Sequence, residues 1–102
     1  MPNIIQELPD KIAVEHFETI TTGHNVRIER IVSNENTTKE GEWYDQSQTE
    51  WVIAVEGSGS IEFEEGRSLT LNKGDHLLIE KQECRRVTRT DPNTIWLAVH
   101  CE

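Results

Sequence analysis

Residues 50–75 read EWVIAVEGSGSIEFEEGRSLTLNKGD. Successive side chains of an extended segment point to opposite faces. Trp51, Ile53 and Val55 therefore share one face and Val52 and Ala54 the other, so the segment is apolar on both sides. Gly57-Ser58-Gly59 interrupts it, and Ile61 and Phe63 then alternate with Ser60, Glu62 and Glu64. The pattern predicts a strand, a tight glycine turn and a returning strand. Glu65-Gly66 makes a second turn. Leu69 and Leu71 alternate with Ser68 and Thr70, and Asn72-Lys73-Gly74-Asp75 makes a third turn into His76-Leu77-Leu78-Ile79. Short strands spaced by glycine turns form a meander that closes on itself or packs as a sandwich.

Outward from this stretch the signals vary in strength. On the N-terminal side, Pro9-Asp10 resembles a helix start. Ile12, Ala13, His16, Phe17 and Ile20 follow at helical spacing, which predicts a short helix ended by Thr21-Thr22-Gly23. The competing reading is a strand, because Ala13 to Phe17 partly alternates. Asn25 to Val32 is a strand with Val26, Ile28 and Arg30 on one face. Ser33 to Gly41 has no periodicity and reads as a loop, and Glu42 to Gln46 is a short aromatic segment leading to the strand at Glu50. On the C-terminal side, Glu80 to Glu83 is a charged connection and Cys84 to Thr90 a strand. Asp91-Pro92-Asn93 is a turn. Thr94 to His100 is apolar on both faces, which predicts a central strand. The division expected is a lead-in over residues 1–24 and a barrel over residues 25–102.

The chain has 102 residues, enough for one domain whose modest core would gain from oligomerisation. Nineteen Asp and Glu against ten Lys and Arg give a formal net charge of −9. Phosphate backbones would repel such a chain, so nucleic acid is not an expected partner. No apolar run reaches membrane-spanning length, so no membrane partner is expected either. The N-terminus lacks the basic and apolar regions of a signal peptide, and a cytoplasmic location is the expectation. Cys84 and Cys101 have no metal or redox spacing and are read as thiols.

The central stretch resembles the cupin superfamily. A first cupin motif ends in a glutamate, six residues and a glycine, as Glu50 to Gly57 does. The second has a Pro-x-Gly-Asp turn, a short apolar strand ending in Pro, and a histidine five residues on. Asn72-Lys73-Gly74-Asp75 and Leu77-Leu78-Ile79 match the turn and strand. Glu42 to Gln46, Glu50-Trp51-Val52 and Thr94 to His100 are similar to a group of small single-domain bacterial cupins of unassigned function. The resemblance implies an all-β fold, a single antiparallel jelly-roll (double-stranded β-helix) barrel, often dimeric, here with a short N-terminal helix added. Metal-binding cupins offer His-x-His upstream of the glutamate and a further histidine in the second motif. This chain has Tyr44 and Gln46 in the first frame, Arg85 at the second, and Asn72 and Glu80 in place of the prolines. An arginine stays protonated and cannot ligate a cation. The resemblance therefore implies a degenerate metal site and no cofactor, with Glu50 and His100, helped by Asp45 or Gln46, as the start of any non-standard metal site.

The cavity candidates are Tyr44, Gln46, Glu50, Arg85 and His100. Glu50 and Arg85 are expected to face each other, as a plain internal ion pair or as an anion grip with Arg85 bidentate on a carboxylate or phosphate. His100 shares the cavity if it alternates with Trp96 and Ala98; His16 and His24 are read as solvated, and His76 as sitting at a strand start. Trp43, Trp51 and Trp96 read as core or dimer packing, with a stacked lid beside Arg85 as the other option. Arg85 and Arg86 beside Cys84 would lower its thiol pKa, although an idle thiol is the simpler reading. The leading function is a cytoplasmic, homodimeric barrel binding a small, anionic molecule. The alternatives are a cupin enzyme and a site-less dimeric interaction module. The enzyme would be a metal-dependent oxygenase, isomerase or decarboxylase on non-standard ligands, or a metal-free epimerase or isomerase using His100 and Tyr44. Fold alone does not choose among them.

Overall fold

A computed structural model describes residues 1–9, 14–39, 41–45 and 47–102. Among them are eight strands: β1 (His16–Gly23), β2 (Val26–Ser33), β3 (Thr49–Glu56), β4 (Gly59–Phe63), β5 (Ser68–Leu71), β6 (His76–Ile79), β7 (Arg85–Thr90) and β8 (Thr94–Cys101). They form an antiparallel five-stranded sheet, order β1-β2-β8-β3-β6, and a three-stranded sheet, order β5-β4-β7. This is a jelly roll, and the last strand is central in the larger sheet, as its two apolar faces predict.

Two expectations are corrected. The predicted N-terminal helix is not there. His16, Phe17 and Ile20 lie in β1, at the edge of the larger sheet; Asp10, Ile12 and Ala13 lie outside the described residues. The strand after Gly57-Ser58 is not a hairpin partner of β3. β3 pairs with β6 and β8, whereas β4 pairs with β5 and β7, so the chain turns a corner between sheets at Gly57. The 64–67 turn does close a hairpin, β4–β5, through Phe63 N–H donating to the Arg67 carbonyl (2.8 Å).

The core fills the space between the sheets. Ile31, Val52, Ala54, Trp96 and Ala98 come from the larger sheet, Ile61, Phe63 and Leu71 from the smaller, and Ile79 closes one edge. Register arranges the inward face of the larger sheet in cross-strand rows. The first is Phe17–Ile31–Trp96–Ala54, and the next contains Glu29–Ala98–Val52. The last is Arg27–His100–Glu50–Ile79. Polarity thus rises towards one end of the sandwich, where the apolar filling stops.

Arg30 lies on the outward face with Val26 and Ile28, yet is only 7% exposed. Its guanidinium pairs with Glu18 and donates to the carbonyls of Ile4, Gln6 and Glu7. The N-terminal residues are thereby fastened to their own sheet. No helix among the described residues is long and apolar enough to cross a membrane.

Candidate functional site

The polar end of the sandwich opens into a cavity of about 260 Å³. Tyr44, Glu50, Arg85 and His100 all line it; Gln46 lies outside the described residues. Their positions follow from strand alternation. In β7, Arg85 and Val87 point inward while Arg86 points outward to Glu62 and to the Trp43 ring, 5.2 Å from its centroid. Arg85 is held by a two-way backbone bridge to Tyr44, whose N–H donates to the Arg85 carbonyl (2.7 Å) and whose carbonyl accepts from Arg85 N–H (3.0 Å). The same bridge sets the Tyr44 ring 5.9 Å from the Arg85 guanidinium carbon. The aromatic beside Arg85 is thus Tyr44. Trp96 lines the cavity from the core, and Trp51 sits against His76.

Glu50, on β3, is 2% exposed and accepts a hydrogen bond from Arg85 Nη2 across the gap between sheets. Low dielectric makes such a contact strong and its loss costly. The other end nitrogen, Arg85 Nη1, is buried and has no hydrogen-bond partner among the described residues. His100, 4% exposed, is the cross-strand neighbour of both Glu50 and Arg27. Its Nε2 lies 2.7 Å from Glu29 Oε1, and its Nδ1 is likewise buried without a partner. Arg27 Nε, 3.5 Å from the second Glu29 oxygen, is the third such nitrogen.

Glu15, Arg27 and Glu29 line the cavity but were not among the sequence candidates. Period-2 alternation in β2 does put Arg27 and Glu29 on one face. The sequence signal pointed the wrong way, because Val26 and Ile28, on the opposite face, look like the core side. Glu15, just before β1, accepts a hydrogen bond from Ser33 Oγ (2.7 Å). Burial pushes its carboxyl above the ordinary value of 4.5, against the lowering effect of Ser33 and Arg85, and the nearby Glu50 adds to the rise. Burial likewise raises the Tyr44 phenol, with the Glu15 charge second. Burial thus makes both groups harder to ionise than in water.

The Cys84 thiol is also pushed up, by burial first and then by Asp45 and Glu64. The shift runs opposite to the lowering expected from Arg85 and Arg86, so a lowered, reactive thiolate is not what the site holds. Cys84 and Cys101 are both free.

The metal that the family resemblance raises does not fit these donors. Among the described residues no group of three or more His, Cys, Asp or Glu is placed to hold an ion. Glu50 is engaged by a guanidinium, so one of the two suggested starting ligands is committed to another partner. A cation would also meet the charge of Arg85 at its site.

No family model matches the sequence, and no protein of curated function matches it. Solved structures do. A Ralstonia eutropha JMP134 protein, provisionally named a mannose-6-phosphate isomerase, is 36% identical over the whole of this chain and 97% of its own, with a TM-score of 0.94. An RmlC-like cupin from Desulfovibrio desulfuricans is 12% identical, covers 99% of this chain and 94% of its own, and has a TM-score of 0.81. A cupin superfamily protein from Desulfitobacterium hafniense DCB-2 is 9% identical over 92% of this chain and 83% of its own, with a TM-score of 0.76. At such low identities the last two bear on the fold alone. With its jelly-roll topology, the Glu50-to-Gly57 corner and a 36% identical relative matched end to end, this chain belongs to the cupin superfamily.

Proposed function

We propose that the barrel binds a small organic anion in its cavity, anchored by Arg85. One observation carries this reading: Arg85 Nη1 is buried, charged and without a hydrogen-bond partner among the described residues. A buried donor left unmade costs about 1–3 kcal/mol, and more when charged. Ligand oxygens would recover that energy, and a planar guanidinium suits a carboxylate or phosphate. Arg27 Nε is in the same condition on the same cavity wall. The volume, about 260 Å³, suits a metabolite rather than a peptide. The provisional name of the Ralstonia relative, with its sugar phosphate, supports the same ligand class.

Thermal unfolding in the presence of mannose 6-phosphate, citrate and inorganic phosphate tests this. A ligand at 100 times its dissociation constant stabilises by about 2.7 kcal/mol. The expected result is an upward shift with at least one organic anion. Arg85→Gln, measured against its own melting point, should lose about 10- to 100-fold in affinity, the worth of a charge-assisted hydrogen bond. Equal stabilisation of both proteins would sink the assignment of Arg85.

A homodimer is the second part of the proposal. The outward face of the larger sheet carries half-buried Ile28, Trp51, Ile53, Leu97 and Val99 in adjacent rows, with Leu78 53% exposed. A contiguous apolar face of this kind marks an interaction surface. Light scattering at micromolar concentration is expected to give twice the chain mass of 11.8 kDa, and Leu78→Asp to shift it towards that of one chain. A wild-type mass of one chain would exclude the dimer.

A further inference from the structure

The cavity is polar at one end only. Arg27, His100 and Glu50 form one cross-strand row there, with Arg85 against Glu50. Residues on one face of a strand advance by about 7 Å per step of two. One step along β7 from Arg85 is Val87, paired across the smaller sheet with Ile61, and one step along β3 from Glu50 is Val52. A further step along the larger sheet brings the row of Ile31 and Trp96, with Phe17 at its edge. All six line the cavity. Glu29, the polar residue among these rows, contacts Arg27 and His100 at the polar end. Phe17 lies in an inward row and is nevertheless 50% exposed. Apolar side chains facing an unfilled space forfeit packing contacts, and an apolar cavity holds water poorly.

We infer that the occupant is a monocarboxylate with an apolar body, branched aliphatic or aryl. Its carboxylate meets Arg85 Nη1, and its body lies on Val87, Ile61 and Val52 towards Trp96 and Phe17. The inference rests on the anion reading above and narrows it. Two features of the cavity choose this class. The first is the apolar wall itself. Each methylene buried against it is worth about fourfold in affinity. A sugar phosphate shares the anionic head but carries hydroxyls along its length, and a hydroxyl laid on aliphatic side chains loses its water partners without replacement. The second is charge. The carboxyl groups of Glu15, Glu29, Asp45 and Glu50 line the cavity against the guanidiniums of Arg27 and Arg85, and Arg85 already gives one end nitrogen to Glu50. A head with a single charge suits that balance better than a phosphate monoester, which carries about 1.5–2 negative charges at neutral pH.

The test titrates the full chain with butanoate, 4-methylpentanoate, phenylacetate, 4-methylpentanamide and mannose 6-phosphate, and takes apparent dissociation constants from the rise in melting temperature. 4-Methylpentanoate is expected to bind about 10-fold more tightly than butanoate, the worth of its larger apolar body. Phenylacetate should also exceed butanoate, and mannose 6-phosphate should bind more weakly than 4-methylpentanoate. Two substitutions place the body. Val87→Thr exchanges a methyl for a hydroxyl at nearly constant shape, and Phe17→Ser removes a ring from the exposed edge strand. At least one should bring the 4-methylpentanoate-to-butanoate ratio down to about 3-fold or less. Mannose 6-phosphate binding more tightly than 4-methylpentanoate, or no gain from butanoate to 4-methylpentanoate, overturns this inference and leaves the anion reading standing. A gain that persists unchanged in both variants puts the body outside this cavity and overturns the inference as well. The amide binding as tightly as the acid would mean an apolar cavity without an anion grip, which overturns the anion reading and with it this one. Binding by none of the probes overturns both.

Discussion

Glu50→Ala is expected to lower stability by about 3–5 kcal/mol, the cost of stranding one charge of a buried pair. The carboxylate is 2% exposed and takes its hydrogen bond from the Arg85 guanidinium, which already has one end nitrogen without a partner. Removing Glu50 takes the contact from the second. For a domain of this size the loss corresponds to a melting-point drop of more than about 10 °C. Arg85→Met should cost a comparable amount, because it leaves the Glu50 carboxylate buried without its guanidinium. The double variant Glu50→Leu/Arg85→Met, which leaves no charge behind, should recover most of the loss or exceed the wild type. Urea unfolding at pH 7, with unchanged m-values, measures all three variants. Single variants that each cost less than about 1 kcal/mol would place the pair in water-like surroundings and contradict the buried geometry.

Gly57→Ala carries the second large effect. Gly57 sits at the corner where the chain leaves the larger sheet, with φ +78°. A Cβ there would lie 2.5 Å from Thr94 Oγ1 and 2.9 Å from Thr94 Cα. Thr94 begins the central strand β8, and its hydroxyl donates to the Asp91 carbonyl (2.8 Å), so neither atom can retreat cheaply. The left-handed backbone adds about 1–2 kcal/mol and the overlap about 1–3 kcal/mol. Gly66→Ala and Gly74→Ala are the matched controls. Their φ values are +109° and +91°, but a new Cβ meets nothing within 4 Å. They should show only the backbone part. Three equal losses in thermal melts would mean that φ alone matters and that the corner is not tightly packed.

Much of the fold was legible because alternation is local. The two-faced apolar runs in β3 and β8 mark strands buried on both sides, and β8 is central as its composition requires. The facing of Glu50 and Arg85 followed from the frame of the cupin motifs. The N-terminal strand was not legible. A bulge between Thr19 and Thr21 inserts an extra residue, and Phe17 and Ile20 then fall at a spacing that imitates a helix. The corner at Gly57 was not legible either, because a glycine turn looks the same whether the next strand pairs with the last one or crosses to another sheet.

The sequence by itself determined which side chains share a strand face, where the chain turns, and that a guanidinium stands where the family pattern has a histidine. Only the tertiary structure decided which face is inside. Val26 and Ile28 turn outward while Arg27 and Glu29 turn into the cavity, because the inward row at that end is completed by His100, 71 residues on from Glu29. A charged face can be buried only where distant partners supply the missing hydrogen bonds, and no local pattern in β2 records that they do.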